Sequence, residues 1–129
     1  MRSTDKYIVR GPSETVSRMT PHLLKEFDPK YHYSYTGADG KVQIDVAVYE
    51  EYQKQINSSV TLTLVSECQG TNLRYEITTT GGRMGFRGSS LNVEQSIYES
   101  ITDFILDFTK RYGMTLQQLE AEESTQAKE

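Results

Sequence analysis

Val42–Tyr49, VQIDVAVY, is the stretch on which the reading of the fold turns. Val42, Ile44, Val46 and Val48 alternate with Gln43, Asp45, Ala47 and Tyr49, the period-two pattern of a strand with one buried face. The valine side is the side expected to meet a core. Downstream, Val60, Leu62 and Leu64 alternate with Thr61, Thr63 and Val65, and Leu73, Tyr75 and Ile77 with Arg74, Glu76 and Thr78. Upstream, Tyr31, Tyr33 and Tyr35 alternate with His32 and Ser34. GADG at Gly37–Gly40 and QGTN at Gln69–Asn72 supply turns, so the strands read as an antiparallel meander. KYIVR at Lys6–Arg10 reads as a first short strand broken by Gly11 and Pro12, and Met84 and Phe86 as the start of a last one.

Two helical patterns flank the strands. Val16, Met19, Leu23 and Phe27 share a helix face, with Ser13 expected as its N-cap and Glu14 in its first turn. Pro21 falls inside this pattern and leaves open one kinked helix or two short ones. The second helix is predicted to start at Asn92, with Gln95 completing a capping box. It carries a stripe of Val93, Ile97, Ile101, Phe104, Ile105, Phe108 and Tyr112, and stops at Gly113. Thr115 is expected to cap another turn or two through Leu116 and Leu119, before the polar run Glu120–Glu129.

The fold class expected is therefore α+β. It is a two-layer sandwich in which an antiparallel sheet of about five strands is covered by a short first helix and a long C-terminal helix. A helix-grip-like variant, with a ligand cavity between sheet and long helix, stays open. Residues 1–113 form the expected domain and 114–129 an acidic tail.

Composition narrows the function classes. The chain has 129 residues and a net charge of −4, suited to one domain. From Met114 on there are four acids and one base, which leaves 13 bases and 14 acids in residues 1–113. That nearly neutral body argues against general nucleic-acid binding. A mean hydropathy of −0.61 fits a polar globular chain, and no stretch is apolar enough to span a membrane. The polar N-terminus has no signal-peptide pattern, and Cys68, the single cysteine, cannot form an internal disulfide; a cytoplasmic protein is expected.

DVAVYEEY at Asp45–Tyr52, VTLTLV at Val60–Val65 and YEITTTGG at Tyr75–Gly82, followed by a helix, resemble a family of small uncharacterised bacterial proteins, a domain of unknown function. The resemblance spans residues 6–112. It implies a bacterial, cytoplasmic protein and carries over no catalytic residues.

Two segments are candidates for function. GGRMGFRGSS at Gly81–Ser90 leads into the long helix, and Arg83, Arg87, Ser89 and Ser90 could bind an anion. It lacks the spacing of a phosphate or dinucleotide loop, and a glycine-rich hairpin with solvated arginines is the plainer reading. Tyr31, Tyr33 and Tyr35 would line one face of a strand, as a packing feature or as an interaction surface for a homo-oligomer. His22, His32 and Cys68 show no metal-ligand spacing, so neither a metal nor a cofactor is expected. The leading reading is a non-enzymatic binding or self-association module. A ligand-binding helix-grip domain comes second, and an enzyme or binder using residues 81–90 on an anionic substrate third.

Overall fold

A computed structural model describes residues 2–53, 57–81 and 96–119. The elements are β1 (Arg2–Arg10), α1 (Ser13–Glu26), β2 (Tyr31–Thr36), β3 (Val42–Gln53), β4 (Ser58–Gln69), β5 (Asn72–Gly81), α2 (Ile97–Arg111) and β6 (Thr115–Leu119). The α+β class and the antiparallel sheet hold. Among the described residues the sheet has six strands rather than about five, in the order β2-β3-β4-β5-β1-β6.

The meander from β2 to β5 follows from local turns. Gly40 and Gly70 take positive φ at the hairpin tips, a conformation that glycine adopts without strain. β1 then pairs antiparallel with β5 over its whole length, Tyr7 opposite Tyr75 and Val9 opposite Leu73. β6 lies on the other side of β1, with Leu116 opposite Val9. Residues 115–119, which the sequence pattern suggests as helical turns of a tail, are therefore a strand, and the domain runs past residue 113. Leu116 packs against the core and Met114 is buried, which explains why this short polar stretch stays on the sheet. Residues 120–129 lie outside the described residues.

The helices also depart from the sequence reading. α1 is continuous through Pro21, with no break into two helices, because Pro21 sits at an exposed position. There the Ser17 carbonyl, deprived of its amide partner, can turn to water. Ser13 is the first helical residue, and Pro12 holds the N-cap position without a side-chain cap bond. α2 starts later than predicted. Ser96 is extended and caps the helix, accepting from the Glu99 amide while the Glu99 side chain accepts from the Ser96 amide. That reciprocal pair satisfies two of the amides a helix start leaves free. The proposed cap at Asn92 lies outside the described residues, as do Met84 and Phe86. Gly113 ends α2 with φ of 67°, and the Met114 amide reaches back to the Thr109 carbonyl at 2.9 Å.

The core forms on one face of the sheet. Leu62, Leu64, Leu73, Tyr75 and Ile77 are essentially inaccessible, and so are Val16, Met19 and Leu23 of α1 and Ile101 and Ile105 of α2. Polar contacts tie both helices to the sheet. Thr20 of α1 bonds to Ser66 and Tyr75, Glu51 accepts from the Ile97 amide, and Tyr98 of α2 donates to Asp5.

β3 turns the other way from its sequence reading. Asp45, Ala47 and Tyr49 are buried, while Ile44, Val46 and Val48 are only half-buried. Directly opposite residues of a sheet share a face, and Ala47 lies opposite Leu64, Tyr49 opposite Leu62 and Asp45 opposite Ser66. The leucines of β4 and their partners in β5 hold the core face, so β3 must follow them. Its valines point to the far side.

Candidate functional site

The valines of β3 do not stand alone on the far face. Tyr31 lies opposite Val48, Tyr33 opposite Val46 and Tyr35 opposite Ile44. Val46 in turn faces Val65 of β4, which faces Glu76 of β5, which faces Lys6 of β1. The face thus grades from aromatic at the edge, through aliphatic, to threonine and charge in the middle of the sheet. The polar end is internally paired. Lys6 approaches Glu76 at 3.8 Å and the Thr4 and Thr78 hydroxyls lie 3.2 Å apart. The apolar end is open to solvent. Tyr31 keeps 56% of its surface exposed, and Tyr33 and Tyr35 each keep 50%, so their rings are not packing elements of a core.

The opposite side of β2 is fixed to β3 by side chains. His32 Nε2 lies 2.9 Å from Asp45 Oδ1. Thr36 donates to Gln43 Oε1 at 2.5 Å, and the Gln43 amide donates to Ser34 Oγ at 2.6 Å. Six consecutive exposed residues thus carry tyrosines on one side and a polar clasp on the other.

Beneath α1 lies a second polar cluster. Thr20 Oγ1 sits 2.7 Å from Ser66 Oγ and 2.8 Å from Tyr75 Oη, all three buried. Burial pushes the Tyr75 hydroxyl up strongly, outweighing its bond to Thr20. Cys68, half-buried nearby, has its thiol raised by burial and then by the Asp45 carboxylate. Both groups are held in their neutral forms, the reverse of what an activated nucleophile requires. The Ser66 hydroxyl is engaged with Thr20, His32 with Asp45, and His22 packs edge-on against Phe108 with ring centres 5.8 Å apart. His32 and Cys68 thus both neighbour Asp45 while His22 packs on Phe108 instead, and among the described residues no group of three His, Cys, Asp or Glu is placed to hold a metal.

Between the helices runs an open groove of ≈ 600 Å³, floored by Phe104 and Phe108 and flanked by His22, Lys25, Arg111 and Tyr112. It opens at the surface and not between the long helix and the sheet, where Ile101 and Ile105 leave no accessible surface. Arg83, Arg87, Ser89 and Ser90, the anion-binding candidates, lie outside the described residues. Of the residues singled out from sequence, Tyr31, Tyr33 and Tyr35 are brought together on one face. The valines that join them are ones the sequence pattern sends to the core. The signal that places them is the relative strength of neighbouring strands: leucines in β4 and in β5 outrank the valines of β3 for the buried side.

No protein-family model matches the chain, and no curated protein matches it. Among solved structures, the crystal structure of TTHA0849 from Thermus thermophilus aligns over 86% of this chain and 95% of that one at 13% identity, with a TM-score of 0.28. At that score the alignment carries no argument. Among the described residues, no helix is long and apolar enough to cross a membrane.

Proposed function

We propose that this protein is a non-enzymatic binding module that works through the tyrosine–valine face of its sheet. One observation carries the reading: the register sets Tyr31, Tyr33 and Tyr35 beside Val48, Val46 and Ile44 on the face away from both helices. A continuous apolar and aromatic patch left in water marks an interaction site. Tyrosine suits such a site, because each ring offers an apolar body with a polar tip and loses few rotamers on binding. The neutral thiol and the mutually satisfied hydroxyls argue against hydrolytic or thiol chemistry at the polar cluster.

A photo-crosslinking amino acid at Tyr33, expressed in cells, tests this. Defined adducts are expected there, with none from the same group at Leu106, which is exposed on α2. Val46→Lys should abolish the Tyr33 adducts while leaving the melting temperature within a few degrees, since strand-face substitutions span only ~1 kcal/mol. Equal labelling at both positions, or no adduct at Tyr33, would remove the reading.

The second reading, a small-ligand-binding domain, draws on the groove floored by Phe104 and Phe108. Retention of a small molecule in native mass spectrometry, lost on Phe104→Ser, would favour it over the sheet face.

A further inference from the structure

We propose that β2 is a homodimerisation edge, along which a second copy of the chain adds antiparallel to make one continuous sheet. This deepens the binding-module reading and rests on it, because the pairing doubles the tyrosine face across a two-fold axis.

Among the described residues, β2 is an outermost strand of the sheet. Its hydrogen-bonding parity follows from the turn beside it, where the Gly37 amide donates to the Val42 carbonyl at 2.8 Å. Alternation along an antiparallel pair then directs the amides and carbonyls of Tyr35 and Tyr33 toward β3, and those of His32, Ser34 and Thr36 outward. Exposed edges are ordinarily blunted by charge, proline or a bulge. Tyr31–Thr36 contains no proline and no Lys, Arg, Asp or Glu. Lys30 and Pro29 guard only the stretch before it.

The outward residues are spaced symmetrically about Ser34, so the edge is self-complementary. An antiparallel second copy sets Ser34 against its own equivalent and His32 against Thr36. Each such pair exchanges both backbone bonds. Tyr33 of one copy then lies across from Tyr35 of the other at a non-hydrogen-bonded site, where side chains approach most closely. Tyr31 falls over Gly37, which leaves room for its ring. A foreign strand would match the backbone equally well but would not supply the reciprocal tyrosine pairs. The bonds of His32, Ser34 and Thr36 to β3 hold the edge in place beforehand, so little ordering remains for association to impose. The strand also carries none of the chain's net charge of −4, so two copies meet there without like-charge contact.

Analytical ultracentrifugation of the full chain, with Ser34→Lys and Ser34→Glu as variants, is the test. Ser34 is exposed, so either residue fits at the loss of its bond from Gln43, and each variant places like charges together on the two-fold axis. The wild type is expected to be a dimer. Each variant alone should weaken association by at least roughly 100-fold, and an equimolar mixture of the two should dimerise again. That rescue cannot arise from misfolded protein. A monomeric wild type would overturn the proposal and leave the face reading to the crosslinking result. A dimer that survives both Ser34 variants would also overturn it. If such a dimer is broken instead by Val46→Lys, the second copy sits on the face, and the binding-module reading stands without the edge.

Discussion

Tyr49 shows how one side chain serves two elements. It stands on the core face of β3, nearly inaccessible, and donates its hydroxyl to the Phe27 carbonyl just past α1 at 2.8 Å. Burial, and then the nearby Asp28 carboxylate, push its pKa up to about 12. A raised pKa means that the folded state holds the proton more tightly than the unfolded chain, where tyrosine ionises near pH ~10. The stabilisation is complete below that value and is lost as pH climbs toward about 12. Unfolding free energy measured by urea titration should therefore fall steadily across this alkaline window. Tyr49→Phe should flatten part of the fall, leaving the share that belongs to buried Tyr75, whose hydroxyl is shifted the same way. An unchanged slope in Tyr49→Phe would count against burial as the cause.

At the scale of elements, capping decides where α2 begins. Ser96 and Glu99 form the reciprocal box, so Ser96→Ala should lower stability by about 1 kcal/mol and fray the first turn, visible as lost far-UV helical signal. This start is legible in the sequence, because Ser96 and Glu99 have the same spacing as Asn92 and Gln95. Periodicity alone cannot choose between two valid caps. The correct faces of β4 and β5 are also legible, because leucine, tyrosine and isoleucine sit on one side and threonine or charge largely on the other. That of β3 is not, because an alternating strand announces that it has two different faces but not which one meets the helices. Its partners decide that through register. Thr20, Asp45 and Ser66 are invisible as interior residues for a similar reason: a polar side chain is tolerated inside only where another element brings its partner. The tyrosines of β2 are legible as one surface. Its clasp to β3 is not, since that depends on which residues stand opposite.

The whole molecule is closed by its last described strand. Met114 is buried, close enough to Gly11 that a Cβ there would meet its side chain at 2.6 Å, and Leu116 packs on the core. A chain ended at Gly113, the limit drawn from sequence, should lose at least about 2 kcal/mol, the value of burying one such side chain. It should also leave the Arg10 end of β1 open to exchange. Thermal melts and amide exchange of the two lengths would show this, and equal stability would mean that β6 adds nothing to the core. The strand order has a further meaning for how the chain assembles. Each hairpin from β2 to β5 joins neighbours along the chain, yet β1 sits between β5 and β6, segments made long after it. Closing such a long loop exacts chain entropy before any contact repays it. β1 must wait for β5 to arrive, and until then the leucines of the meander lack the strand that completes their layer. The sheet is in this sense finished only when β1, passed over by the whole meander, is taken in between β5 and β6.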